Sequence, residues 1–111
     1  MNFSVIPSEK FKKEAKRLIK KFPSLKQELV LLGNALSIDP ELGTALGNDT
    51  YKIRLAIKSK GKGKSGGERV ITYVVTENKE IYMLTIYGKS EFDSIDDKII
   101  KNIIDILSPR K

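Results

Sequence analysis

The sequence contains no cysteine, no histidine and no tryptophan. Without cysteine there are no disulfide bonds and no thiolate nucleophiles, and without histidine the commonest metal ligand and the usual general base are missing. We therefore expect no bound metal and no cofactor. Any catalysis must use lysine, arginine, tyrosine, serine or carboxylate side chains.

Long apolar runs are also missing, and the N-terminus lacks the pattern of a signal peptide. These absences predict no membrane association and a cytoplasmic location. A length of 111 residues is typical of one folded unit, so we expect a single domain over residues 1–111.

Basic side chains are abundant and unevenly distributed. The net charge is +7, and residues 1–26 and residues 52–69 form two basic blocks separated by a stretch that adds no positive charge. Such a charge distribution favours anionic partners but does not indicate a fold.

The most unusual segment is the lysine–glycine alternation before Arg69. Lysines at every second position cannot line a buried strand, because burying unpaired charge is too costly. The intervening glycines allow the backbone to approach a ligand closely, and its amides can then bind an anion. We expect this segment to contact RNA or the ribosome, although a solvated, flexible hairpin loop is an equally open interpretation. Its candidate residues are Lys58, Lys60, Lys62, Lys64, Gly66 and Gly67.

Hydrophobic periodicity predicts the element order β-α-α-β-β-β-α. The predicted strands cover residues 2–6, 50–58, 69–76 and 81–87, and the predicted helices cover residues 8–21, 24–39 and a C-terminal stretch beginning near Ser90 or Ser94. We expect an α+β fold in which a small antiparallel sheet has its helices packed on one face.

Alternation along the predicted strands places basic side chains on one face of the sheet. Lys52, Arg54 and Arg69 share that face with Tyr87 if the three consecutive strands form a meander. Cations mixed with tyrosines are typical of RNA-binding surfaces, where phosphates contact the charges and bases stack on the rings. Ordinary strand tyrosines and a cross-strand ion pair of Arg69 are the alternative interpretation.

Three segments taken together resemble a known family. They are the run from Tyr51 to Arg54, the sequence KGKGKSGGERV, and the sequence LTIYGKSE from Leu84 to Glu91. This set resembles the RelE/HigB branch of the RelE–ParE toxin superfamily, whose fold has the predicted element order. The resemblance covers nearly the whole chain.

The resemblance also implies candidate catalytic residues. The family's basic pair on the second strand corresponds to Lys52 and Arg54, and its arginine at the start of the next strand corresponds to Arg69. A family arginine that follows a Gly-Lys pair is a serine here, so Lys89 would take its place. The tyrosine that some members have near the last helix is missing, and Tyr87 is the nearby candidate for stacking on a base.

The resemblance implies the toxin of a type II toxin–antitoxin system, a ribosome-dependent mRNA endoribonuclease. In that reaction an RNA 2′-OH attacks the adjacent phosphate, and cations stabilise the phosphoryl oxygens without a metal. The implied partners are a cognate antitoxin, the 70S ribosome and mRNA. Two alternatives stay open: a ParE-like toxin that inhibits DNA gyrase, and a non-catalytic basic RNA-binding module.

Overall fold

A serine joins the first strand to the first helix. In a computed structural model, which describes residues 2–58, 67–88, 98, 101–102 and 104, strand β1 (Ser4–Pro7) leads into helix α1 (Glu9–Lys21). The Ser8 hydroxyl accepts a hydrogen bond from the Phe11 amide at 3.0 Å and so caps the helix. It also donates to the Leu84 carbonyl at 2.9 Å, which fixes the start of α1 to the sheet.

Helices α1 and α2 (Leu25–Ile38) bury the apolar stripes that the sequence predicts. Pro23 lies in the short connection between them and cannot continue the first helix. Both stripes pack into one hydrophobic core on the sheet. The buried helical residues are Phe11, Ala15, Leu18, Leu25, Leu32 and Leu36.

The sheet has five strands in the order β1-β5-β4-β3-β2. The remaining strands are β2 (Thr44–Gly47), β3 (Thr50–Leu55), β4 (Glu68–Val75) and β5 (Glu80–Gly88). Strands β3, β4 and β5 form the predicted antiparallel meander. The α+β class is confirmed, with one difference: β1 pairs with β5 in parallel, so the sheet is mixed rather than purely antiparallel.

Strand β2 lies where the sequence predicts a loop. It forms a hairpin with β3 through Asn48 and Asp49, whose φ angles are 53° and 63°. A two-residue hairpin turn with both central residues at positive φ matches the right-handed twist of its strands, and asparagine and aspartate tolerate that conformation. All four β2 residues are exposed. The strand therefore carries no alternating pattern by which a sequence could reveal it.

The two faces of the sheet bury different clusters. On the face that carries α1 and α2, Ile53, Val70 and Ile86 join the main core. On the opposite face Ile71, Leu84 and Tyr87 form a second, smaller cluster. The face opposite the two helices is thus partly apolar as well as basic.

The predicted C-terminal helix falls mostly outside the described residues. Lys98, Lys101, Asn102 and Ile104 have helical backbone, and Ile104 packs against the second cluster. It therefore contacts the face opposite α1 and α2, whereas the sequence places all helices on one face. Within the described part of the chain, no helix has both the length and the apolar character needed to cross a membrane.

Candidate functional site

Arg54, Arg69 and Tyr87 form one row across three neighbouring strands. Arg54 on β3 lies directly opposite Arg69 on β4, and Arg69 lies opposite Tyr87 on β5. Residues at paired positions point to the same face of a sheet, here the face without α1 and α2. We call these three residues the cationic row.

Lys52 extends the positive charge along β3. It is two residues before Arg54, hence on the same face, and it lies opposite Ile71. Lys52 is half-buried and Arg54 is exposed. None of Lys52, Arg54 and Arg69 forms an ion pair with a carboxylate among the residues that the structure describes. The charges of Lys52 and Arg54 are therefore available to an anionic ligand on this face, whereas Arg69 is nearly buried.

Arg69 is held by the backbone of the segment that precedes it. Its side chain is 5% exposed, and Nη1 donates a hydrogen bond to the Gly67 carbonyl at 3.3 Å. Five N–H donors belong to a guanidinium. One contact to a carbonyl leaves most of these donors unused, but bidentate binding of a phosphate would require the nearly buried guanidinium to be uncovered.

Gly67 is required by close packing. A Cβ atom at this position would lie 1.9 Å from the Leu55 carbonyl oxygen, far inside van der Waals contact. Gly67 is itself buried, so in this conformation its backbone packs against β3. Because Gly67 has no side chain, the backbone can pass this close to β3 just before β4 begins. Arg69 is the second residue of that strand.

Tyr87 is the most deeply buried member of the cationic row. It is 1% exposed and packs with Ile71 and Leu84. Burial raises the pKa of the Tyr87 phenol, and the nearby Arg69 guanidinium partly offsets this effect. The phenol is therefore neutral at physiological pH. Stacking of its ring on a base, as the sequence predicts, would require the ring to be uncovered.

Lys58, the residue that precedes the lysine–glycine segment, is hydrogen-bonded to helix α2. The exposed Lys58 donates its backbone amide to the Glu28 carboxylate of α2 at 2.7 Å. At the end of the sheet that carries the cationic row, Gly67 directly precedes Glu68, the first paired residue of β4, and Glu68 is paired with Gly88 of β5. Lys58 follows Leu55, the last paired residue of β3, by three residues. The other predicted binding residues, Lys60, Lys62, Lys64, Gly66 and the catalytic candidate Lys89, lie outside the described residues.

Sequence reasoning missed a carboxylate that supports β5. Glu14 of α1 accepts hydrogen bonds from the Thr85 hydroxyl at 2.7 Å and from the Ile86 amide at 3.1 Å, and it also pairs with Lys10. The register between β4 and β5 shifts just before this point, at Leu84. Glu14 binds the strand immediately before Tyr87. One of two glutamates in a lysine-rich helix gives no sequence signal for this role.

No group of three or more acidic residues that could hold a metal ion occurs in the described parts of the chain. The cationic row instead offers fixed positive charge, hydrogen-bond donors and one aromatic ring. This combination can bind a phosphodiester and stabilise negative charge that develops on its oxygens.

No protein-family model matches the sequence. Three solved structures are similar to the whole fold. A doubly substituted E. coli RelE toxin in the free state matches with a TM-score of 0.61 and 19% identity, covering 95% of this chain and 97% of that one. The isolated E. coli RelE toxin matches with a TM-score of 0.51 and 18% identity, covering 96% and 99% of the two chains.

The third structure is the intact E. coli RelBE toxin–antitoxin complex, with a TM-score of 0.55, 23% identity, and coverage of 79% of this chain and 96% of that one. This chain has the RelE fold. The resemblance seen in the sequence is confirmed at this level. In the RelE fold of this protein, the cationic row occupies the central strands β3, β4 and β5.

Proposed function

We propose that this protein is the toxin of a toxin–antitoxin pair and that it cleaves mRNA on the ribosome, in the cytoplasm. The observation that carries the proposal is the cationic row on a RelE fold. Arg54 and Arg69 are placed side by side by the strand register, and like charges at such positions are unfavourable to folding. Binding of an anionic substrate between Arg54 and Arg69 would account for the presence of two arginines at paired positions.

The proposed reaction is an attack of an RNA 2′-OH on the adjacent phosphorus. The bond to the 5′-oxygen of the next nucleotide breaks, leaving a 2′,3′-cyclic phosphate and a 5′-hydroxyl. Negative charge increases on the non-bridging oxygens in the transition state. We assign Arg69 to these oxygens, because the Gly67 carbonyl orients its guanidinium. This contact requires the nearly buried side chain to be uncovered when RNA binds.

We assign Lys52 and Arg54 to the attacking and leaving oxygens, a role supported by their position on the same face as Arg69. Lys89 belongs to this proposal by its position in the sequence, one residue after β5. The lysines between Lys58 and Gly67 would bind RNA or the ribosome through salt-dependent phosphate contacts. An antitoxin partner is proposed by analogy with the complex of the similar RelE structure.

Mapping of mRNA 5′ ends after brief expression tests the proposal. We expect new 5′ ends inside translated reading frames, and we expect their loss when Arg54 is replaced by alanine. Lys13→Ala is the matched control, because Lys13 is also an exposed cation but belongs to α1 on the other side of the sheet. Intact mRNA together with DNA breaks would instead indicate a gyrase inhibitor. Harmless expression of soluble protein would contradict a toxin of either kind.

A further inference from the structure

Strand β5 contains one residue more than its pairing with β4 requires. Met83 is paired with Thr72, and the next pair in the ladder is Thr85 with Ile71. Leu84 lies between these pairs without a paired position on β4, so it forms a β-bulge. After the bulge, the alternation of β5 side chains between the two faces of the sheet is offset by one residue.

This bulge determines whether Ile86 or Tyr87 lies on the face of the cationic row. Tyr82 and Leu84 both pack into the second cluster on that face. Strict alternation would continue with Ile86 on the same face. Instead Ile86 belongs to the main core, and Tyr87 belongs to the second cluster. The bulge therefore brings Tyr87 beside Arg69.

A regular ladder without the bulge is the competing arrangement of β5. In this slipped register, each residue after Met83 would pair one position further along β4. Arg69 would then be paired with Ile86. Tyr87 would be paired with Glu68 and would point to the face that carries α1 and α2. The slip would thus replace the phenol ring of the cationic row by an aliphatic side chain.

Glu14 of α1 holds the two residues that follow the bulge. Its Oε1 atom accepts hydrogen bonds from the Thr85 hydroxyl at 2.7 Å and from the Ile86 amide at 3.1 Å. Its Oε2 atom pairs with Lys10. In the slipped register, Thr85 and Ile86 would each move by about 3.3 Å along the strand and exchange faces. One carboxylate oxygen could not then accept both hydrogen bonds.

Glu14 contacts β5 beyond the point where the neighbouring strand ends. Strand β1 pairs with β5 only as far as Pro7, which lies opposite Met83. Among the described strands, none continues on this side of β5 to accept a hydrogen bond from the Ile86 amide. Glu14 supplies that acceptor from the helix that follows β1.

A second contact, at the end of β5, also disfavours the slipped register. Glu68 is 1% exposed and is paired with Gly88. A Cβ atom on Gly88 would lie 3.1 Å and 3.3 Å from the two carboxylate oxygens of Glu68. The slip would bring Tyr87 to this position, where its side chain would displace the buried carboxylate.

We propose that Glu14 is a positioning residue, whose hydrogen bonds stabilise the bulged register of β5 and thereby place Tyr87 in the cationic row. A side chain of α1 thus determines which residue of β5 lies beside Arg69 on the opposite face of the sheet. The consequence for mRNA cleavage rests on the proposed function, whereas the register can be measured without any RNA.

Cross-strand proton NOEs measure the register directly. In the unmutated protein we expect NOEs between Tyr87 and Arg69. In Glu14→Ala, about nine tenths of the molecules should adopt the slipped register and show NOEs between Ile86 and Arg69 instead. Glu14→Gln should keep the original NOEs, because its amide oxygen can accept the same two hydrogen bonds. A folded Glu14→Ala protein that keeps only the NOEs between Tyr87 and Arg69 would overturn the proposal.

Deletion of Leu84 separates positioning from general stability. Without this residue a regular ladder already pairs Tyr87 with Arg69, so Glu14 is no longer needed to set the register. We expect Glu14→Ala to slow single-turnover mRNA cleavage about tenfold in the unmutated background. In the Leu84 deletion the same substitution should change the rate by less than about twofold. An equal loss in both folded backgrounds would contradict the positioning role. If the deletion protein does not fold, the NOE comparison decides alone.

Glu9→Ala is the control in both experiments. Glu9 belongs to the same helix but only pairs with the exposed Lys12, so neither the NOEs nor the cleavage rate should change. If the NOEs follow the expected pattern but the protein cleaves no mRNA, the role of Glu14 in the register holds and the proposed function fails. If mRNA is cleaved and Glu14→Ala keeps Tyr87 beside Arg69, only the role of Glu14 fails.

Discussion

Arg54 on β3 and Arg69 on β4 are directly paired across the strands, on a face where no described carboxylate neutralises either of them. Like charges at paired positions of a sheet are destabilising. The pair thus reduces the stability of the free protein, and an anionic ligand would remove this cost on binding.

Replacing Arg54 by alanine should therefore have opposite effects on stability and on activity. We expect the free energy of unfolding to rise by about 0.2–0.5 kcal/mol in low salt and the gain to vanish in high salt, because Arg54 is exposed and its charge is screened. Cleavage of ribosome-bound mRNA should slow. Urea denaturation and single-turnover cleavage measure the two effects. A less stable Arg54→Ala protein with normal cleavage would contradict this assignment.

Replacing Arg69 by alanine should affect chemistry more than binding. A contact that strengthens as charge develops in the transition state contributes to the rate rather than to affinity. We expect the single-turnover rate to fall about a hundredfold, with RNA affinity nearly unchanged. Arg69→Lys should recover only part of the rate, since an ammonium cannot form the bidentate contact. A normal cleavage rate in the Arg69→Ala variant would show that Arg69 is not a catalytic residue.

Substitutions of Tyr87 separate packing from stacking. Tyr87→Phe keeps the ring and should be mild. Tyr87→Ala should cost about 3–5 kcal/mol of stability, because the side chain is fully buried against Ile71 and Leu84. Tyr87→Leu preserves most of the apolar packing without an aromatic face. If the ring stacks on a base, the Tyr87→Leu variant should have nearly the same melting temperature as the unmutated protein but should cleave mRNA more slowly. Normal cleavage by a folded leucine variant would limit Tyr87 to packing.

Alanine substitutions at two glycines, Gly67 and Gly33, should change the stability of the protein in opposite directions. Gly67→Ala would place a methyl group against the Leu55 carbonyl, so β3 and β4 must separate locally at a cost of at least about 1–3 kcal/mol. Gly33→Ala is the control, because nothing lies within 4 Å of its Cβ position in α2. There alanine should stabilise the helix by about 0.5–1 kcal/mol. Thermal denaturation should show shifts of opposite sign. Equal shifts would show that the close approach at Gly67 is not maintained in solution.

Glu14 should matter for stability although it lies in a charged helix. Removing its carboxylate in Glu14→Ala leaves the Ile86 amide and the Thr85 hydroxyl without their acceptor, at a cost of about 1–3 kcal/mol. Glu14→Gln retains an acceptor oxygen and should lose less. Glu9→Ala is the control: Glu9 only forms an exposed pair with Lys12, which contributes about 0–1 kcal/mol. Similar denaturation midpoints for Glu9→Ala and Glu14→Ala would contradict this role.

Local patterns predicted a large part of this structure. The spacing of Phe11, Ala15 and Leu18 located the buried face of α1, and the alternation of Ile53 and Arg54 identified β3 and its two faces. Such periodicity is visible because it records which side of an element is buried. The shared face of Arg54 and Arg69 followed from the same alternation together with the order of the strands.

Features that depend on distant parts of the chain could not be predicted in this way. The parallel pairing of β1 with β5 leaves no local pattern, and β2 is exposed throughout. The turn at Asn48 and Asp49 was the one local signal that could have revealed β2. Ile104 packs against the cluster that contains Tyr87, and no strand pattern indicates this contact. The lysine–glycine segment was conspicuous in sequence, but its role stays a prediction.

The contact of Ser8 with Leu84 joins residues that are 76 positions apart in the sequence, and β1 pairs with the same distant strand. During synthesis from the N-terminus, β1 and the start of α1 cannot join the sheet until β5 has been made. Tyr87 also enters the cationic row only with that last strand. A nascent chain therefore carries an unassembled site while its own message is still being translated. For a toxin that cuts translated mRNA, this late assembly would protect the message from the growing chain that it encodes.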